Sequence, residues 1–308
     1  MPRSVMNEHA EPVVRPVAGI LWMLLTGILF VAVTGIVRHL GSDMPAPEAA
    51  FIRYAIGLIL ILPAFKLLLT NMPTAIEWRN YAVRGVVHGV GVMLWFYAMA
   101  RIPIAEVTAI GYTAPIFVTI GAALFLGERL QVRRIGAVLA AFGGALVILR
   151  PGFQELNNGQ LAQVCAAPLF AASFLLAKKF TADAPPSLIV AMLSVFCTLT
   201  LLPAALLNWH DPTWEEVGWL ALTACFATAG HYTLTQAFRC APITLTQPVQ
   251  FLQLVWATLL GMAVFGEALD PYVLVGGAVI VGSATYISHR EMVVARRAQT
   301  PPATATKV

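Results

Sequence analysis

Ten long runs of apolar residues leave this chain few possible folds. They are Val17–Val37, Ala49–Phe65, Tyr81–Ala100, Val107–Leu126, Ile135–Leu149, Gly159–Ala177, Ser187–Leu207, Val217–Phe238, Ala241–Phe265 and Pro271–Ser288. Eight of the ten contain no Asp, Glu, Lys or Arg. A helix needs about 20 apolar residues to cross the hydrocarbon core of a bilayer, and ten such helices with short loops use up the 308 residues. Because the runs are continuously apolar rather than alternating, they exclude a membrane β-barrel. Charged residues make up 11% of the chain, against about 25% in soluble proteins. That is too few to cover soluble domains. The expected fold is an all-α integral membrane protein of ten transmembrane helices. The first run is longer than a signal-peptide core and no small-residue cleavage site follows it, so it is expected to persist as a helix.

The basic residues set the orientation. When loops are assigned alternately to the two sides, fifteen Lys and Arg residues fall on the side of the termini, Arg84 among them. Only Arg38, Arg101 and Arg150 fall on the other, and Arg53 lies inside a run. Positive charge concentrates on the cytoplasmic side of membrane proteins, so both termini are expected in the cytoplasm, with the chain in a bacterial-type inner membrane. The net charge of +4 follows from this asymmetry and calls for no nucleic-acid partner. Four cysteines (Cys165, Cys197, Cys225 and Cys240) lie in or beside runs without C-x-x-C spacing and read as buried thiols.

The chain is also duplicated. Phe125-Leu-Gly-Glu-Arg-Leu130 returns as Val264-Phe-Gly-Glu-Ala-Leu269, an offset of 139 that also superposes Ala98 on Ala237, Pro103 on Pro242 and Gly143 on Gly282. Five runs per half is an odd number, so the halves are expected to lie in opposite orientations. Inverted repeats of this kind are the architecture of secondary transporters, which bind substrate where the repeats meet. The expected division is a cytoplasmic tail at 1–16, a first repeat at 17–149, a periplasmic linker at 150–158, a second repeat at 159–288 and a cytoplasmic tail at 289–308.

Polar residues at membrane depth avoid lipid and turn toward the bundle interior or water. At about 100° per residue, Arg84, His88, Gly91 and Trp95 share a stripe on the third helix. Thr228, His231, Tyr232, Thr235, Gln236 and Arg239 share one on the eighth. Thr108, Tyr112, Pro115 and Thr119 line the fourth, and Gln247, Gln250 and Gln253 the ninth, with Trp256 one turn on. These helices hold equivalent places in the two halves, as a central pathway requires. Each polar side chain has a second reading as a hydrogen bond between helices. The histidines stand out because they titrate near neutral pH, and Trp95 and Trp256 read either as packing or as aromatic walls. Val86 and Leu234 are expected to face lipid.

Two charges are read separately. Arg53 is expected to snorkel, to meet Glu48 or to face the pathway. Glu106, at the outer rim of the fourth helix, suits the helix dipole or acts in coupling. Glu128 and Glu267 occupy equivalent turns and read as structural. Arg38 and Lys178 end equivalent helices and either gate the pathway or snorkel. The small residues Gly136, Ala140 and Gly144, and Ala278 and Gly282, mark faces for close helix contact.

The hairpins Ala98-Met-Ala-Arg-Ile-Pro-Ile-Ala-Glu106 and Ala237-Phe-Arg-Cys-Ala-Pro242, each followed by a Gly-Glu turn and a Gly-rich helix, resemble the EamA-type repeat of the drug/metabolite transporter superfamily. The resemblance covers nearly all of the chain from Val17 to Ser288. It implies ten helices around a central cavity, the fifth and tenth peripheral, and it favours a pathway role for Arg53. Leu254 stands where the first copy has Pro115, a departure from the repeat.

There is no phosphate-binding Gly-rich loop, no H-E-x-x-H and no G-x-S-x-G, so ATP hydrolysis and the common hydrolase chemistries lack their signatures. The function expected is secondary transport, or facilitated passage, of a small organic metabolite. The lining favours a neutral or zwitterionic solute such as an amino acid, an aromatic metabolite or a vitamin. Coupling is expected through His88, His231 or Glu106, with no cofactor or metal. Beyond substrate and membrane lipid, the chain is read as a monomer or homodimer. The alternative is a membrane-embedded lipid-modifying enzyme.

Overall fold

In a computed structural model the chain is described over residues 15–41, 43–69, 72–114, 117, 132–150, 156–241, 246 and 249–299. Among these residues every regular element is helical. The α-helices are α1 (Pro16–Leu40), α2 (Ala46–Leu60), α3 (Ala75–Met99), α4 (Ile104–Gly111), α5 (Val132–Leu149), α6 (Asn158–Phe180), α7 (Pro186–Leu207), α8 (Trp214–Cys240), α9 (Leu252–Phe265) and α10 (Pro271–Gln299). A 3₁₀ helix, Leu62–Leu69, follows α2 at a bend of 63°. By length and composition α1, α3, α6 and α7 are apolar enough to cross a membrane, as is α2 joined to its 3₁₀ continuation.

Two predicted boundaries move. The second run was expected to be helical to Phe65, but α2 stops at Leu60. Pro63 supplies no N–H to the ladder and its ring crowds the preceding turn. The predicted tail from 289 is helical to Gln299, because nothing between Ser288 and Ala298 breaks a helix.

The helix contacts come in reciprocal pairs. The first helix of each five-helix set packs against the third of the other, α1 on α8 and α3 on α6. The second helices do the same with the third, α2 on α8 and α7 on α3, while α2 meets α7 and α5 meets α10. Lipid tails are as apolar as Leu, so such contacts rely on close fit rather than water expulsion. Gly144 and Gly276 show this on α5 and α10, where a Cβ on Gly144 would lie 2.7 Å from the Gly276 carbonyl oxygen. Of the small residues expected to mark such faces, Gly144 alone enters this seam, opposite Gly276, and Ala140 and Ala278 are exposed. Gly136 and Gly282, expected in the same seams, face open space. On α9, Leu252, Val255, Trp256, Leu259 and Met262 form one exposed apolar stripe. Val86 is likewise exposed, but Leu234 is buried against Met23, Ala177 and Phe238, which corrects its lipid-facing assignment.

Candidate functional site

α3 and α8 open alike. Thr74 caps α3 and Thr213 caps α8, each accepting from the backbone N–H of a Glu three residues on, Glu77 or Glu216, whose carboxylate reaches back. The two capping boxes are one repeat offset apart, which places corresponding residues of the two helices at corresponding depths. Further along, Gly91 of α3 and Gly230 of α8, again one offset apart, let an opposing helix approach. A Cβ on Gly91 would meet Leu169 and Phe170 of α6 at 3.3 Å, and one on Gly230 would meet Phe30 of α1 at 2.9 Å.

Around this crossing the buried His88 and His231 lie edge to face, with ring centroids 5.0 Å apart. Phe30 approaches His231 at 5.3 Å and Phe170 approaches His88 at 5.2 Å. Tyr54 and Phe174 complete the aromatic surround of His88 at 6.4 and 6.5 Å. Nδ1 of His88 is 2.9 Å from the Ser173 hydroxyl. Nε2 of His88 and Nδ1 of His231 are buried with no hydrogen-bond partner among the described residues.

Arg53 and Arg84 are also buried. Arg53 stacks over Tyr54 at 3.9 Å. It does not meet Glu48, whose carboxylate instead accepts from the backbone N–H of His210 at 2.9 Å. Arg84, counted above with the cytoplasmic charges, is only 1% exposed and donates to the Ile189 carbonyl at 3.1 Å. It belongs to the interior, reducing the inner-side count from fifteen to fourteen against three.

The other expected lining residues separate into groups. Trp95 is half-buried against the core. Tyr232 and Gln236 are half-buried and bonded to each other at 3.0 Å. Tyr112, the cap at the end of α4, reaches the residues just before α9, donating to the Gln250 carbonyl at 2.9 Å and stacking edge-on against Phe251. Gln253 is half-buried where α9 faces Gly27 of α1. Trp256 is 47% exposed, on the outward stripe of α9, and does not join the cluster. Gln247, Pro115, Thr119 and Glu128 lie outside the described residues.

Glu106 and the helix-end charges gather at the Met99 and Phe265 end. Gln160 donates to Glu106 at 2.5 Å. Arg38 pairs with Glu267 at 3.0 Å and donates to the Met99 carbonyl, while the Ile104 N–H donates to Glu267 at 2.9 Å. Gly266 makes this clasp possible: its φ of +62° ends α9 in the left-handed region, which favours glycine. At the other end Lys178 donates to the carbonyls of Phe238 and Ala241. Phe238 is Met99 displaced by the repeat offset. Arg38 and Lys178 thus make equivalent contacts at opposite ends.

Sequence reading missed Phe30, Tyr54, Phe170, Phe174 and Ser173. A phenylalanine in an apolar helix carries no periodic signal, and only the match of Gly91 to Gly230 under the repeat pointed to their neighbours.

A model of the EamA-like transporter family matches residues 17–150 and again 157–289. The riboflavin transporter of Rhizobium johnstonii is 33% identical over 282 residues, covering 90% of this chain and 93% of the relative. That of Vibrio cholerae is 31% identical over 288 residues, covering 92% and 97%. A solved crystal structure with 19% identity superposes with a TM-score of 0.57 over 92% of this chain and 98% of its own, a likeness of fold. Matched along both halves, the chain belongs to the EamA-like transporter family: it is a multi-pass membrane transporter of small metabolites, not an enzyme.

Proposed function

We propose that this protein is a secondary transporter of the inner membrane whose substrate binds between two inverted five-helix repeats, 17–149 and 159–288. The ten spans run alternately across the bilayer with both termini in the cytoplasm, and the linker 150–158 is periplasmic. The observation that carries this reading is the contact between His88 of α3 and His231 of α8 inside an aromatic cage built from both halves. The reciprocal helix contacts support the inverted arrangement, and the charge asymmetry supports the orientation. Membrane lipid covers the exposed apolar faces, and one chain is sufficient to form the pathway.

The cage favours a flat, ring-bearing metabolite. Rings of Phe170 and Phe174 stack 6.2 Å apart on α6, and Tyr54 and Phe30 add aromatic surface with which a planar solute gains specific contacts. Riboflavin, the solute named for the two relatives, has this shape, and it is to be compared with flat ring solutes that carry a carboxylate or a phosphate. The halves rock about the cage to expose it to each side in turn. Tyr112, Tyr232, Gln236, Gln250 and Gln253 serve as secondary pathway residues, with Gln247 joined to them on sequence alone, and His88, His231 or Glu106 carries the coupling.

Purified protein in proteoliposomes should take up a flat, ring-bearing solute, and His88→Leu or Phe170→Ala should lower that uptake while the protein keeps its fold. Full uptake by both variants would remove the cage from the pathway.

A further inference from the structure

Arg53 and Arg84 pose an electrostatic problem that the aromatic cage does not solve. Arg53 is 5% exposed and Arg84 is 1% exposed. Neither makes an ion pair among the described residues, and four of the acids there are engaged elsewhere. Glu267 faces Arg38, Asp270 faces Arg150, Glu48 holds the His210 N–H and Glu106 holds Gln160. Nη1 of Arg53 and Nε of Arg84 have no hydrogen-bond partner there either. Arg53 stacks over Tyr54 at 3.9 Å, the Tyr54 ring lies 6.4 Å from that of His88, and Arg84 stands one turn before His88 on α3. Two buried cations that lack a counter-ion are expensive, and ionisable residues kept inside a membrane protein mark its solute pathway. Guanidinium groups match oxyanions in charge and in donor geometry.

We infer that Arg53 and Arg84 form an anion-binding subsite beside the histidine pair, and that the transported solute carries a carboxylate or phosphate next to its flat ring. This rests on the cluster being the substrate site, and it narrows the neutral-or-zwitterionic expectation to solutes that bring a negative group. The cage holds the ring, and the arginines hold the charge.

The test uses full-length protein in nanodiscs, with the four native cysteines replaced and Ser173→Cys placed against His88. Labelling rates are measured with an anionic and a cationic methanethiosulfonate, each normalised to its rate with a free thiol. The anionic reagent should react at least about tenfold faster, the scale of electrostatic focusing in a charged cleft. Arg53→Gln and Arg84→Gln should each reduce that preference and together abolish it, while Arg84→Lys keeps it. Equal rates, a cationic preference, or a preference that survives loss of both arginines would overturn the subsite while leaving the pathway intact. Labelling by neither reagent would remove the cluster from the pathway and the subsite with it. Benzoate and phenyl phosphate then identify the oxyanion. Slowing by the first assigns a carboxylate, slowing by the second a phosphate, and slowing by neither overturns the proposal.

Discussion

His88 and His231 meet at the centre of the helix bundle, and each keeps one ring nitrogen unpartnered among the described residues. An imidazole with a free nitrogen can accept a proton, and its unperturbed pKa of about 6.5 lies in the working range of a cell. Glutamine in its place still forms hydrogen bonds but does not titrate. His88→Gln or His231→Gln should therefore abolish accumulation driven by a pH gradient while downhill exchange of solute stays measurable. Uptake into proteoliposomes with and without an imposed gradient reads the two separately. If the double variant accumulates solute with an unchanged pH profile, coupling lies elsewhere. Glu106 is the remaining candidate, and its bond from Gln160 makes Glu106→Gln the next variant to measure.

Helix ends carry predictions of their own. In the capping box of α8 the Thr213 backbone N–H donates to Glu216 at 2.7 Å, with the Thr213 hydroxyl also at 2.7 Å. These bonds hold the Glu216 carboxyl below its usual value of 4.5. A carboxyl with a lowered pKa in the fold stabilises it above the unfolded pKa and loses that contribution as pH falls through the folded one. Thr213→Ala should cost about 1 kcal/mol, seen as a lower unfolding temperature in detergent near pH 7, and the difference from the parent should shrink below pH 4.5. The Arg38–Glu267 clasp can be tested as a latch on the pathway. Removing a partly exposed ion pair of this kind shifts an equilibrium by about 1 kcal/mol, roughly fivefold. Arg38→Gln or Glu267→Gln should raise labelling of Tyr54→Cys by an impermeant reagent added outside about fivefold, and unchanged labelling would make the clasp purely structural. The sequence already held the Thr-x-x-Glu boxes one repeat offset apart, and it held the Gly-Glu turn whose left-handed glycine aims Glu267 at Ile104. It concealed which way an apolar helix turns. Lipid and protein interior are equally apolar, so nothing in hydropathy separated the buried Leu234 from the exposed Trp256. Arg84 was counted both with the cytoplasmic charges and on the polar stripe of the third helix, and its burial inside α3 decides for the stripe.

For the whole molecule, the two halves exchange equivalent contacts: α1 on α8 with α3 on α6, Gly230 against Phe30 with Gly91 against Phe170, Arg38 on Met99 with Lys178 on Phe238. Such reciprocity arises when two copies of one five-helix unit are related by a twofold axis. If that axis lies in the membrane plane, each latch has its counterpart on the opposite face, and switching the pathway between sides interchanges the roles of the two halves. The orientation then follows from the basic residues, and it survives the transfer of Arg84 to the interior because fourteen against three is still a strong bias. With five spans per half, as proposed, the total is even and the carboxyl terminus returns to the side of the amino terminus. A reporter fused after Val308 should therefore report cytoplasm, and one inserted at Asn157, between the halves, should report periplasm. The same side for both would mean an even number of spans in the second half. The halves would then be parallel repeats, and the matching latches would lie on one face of the membrane, where they could not alternate.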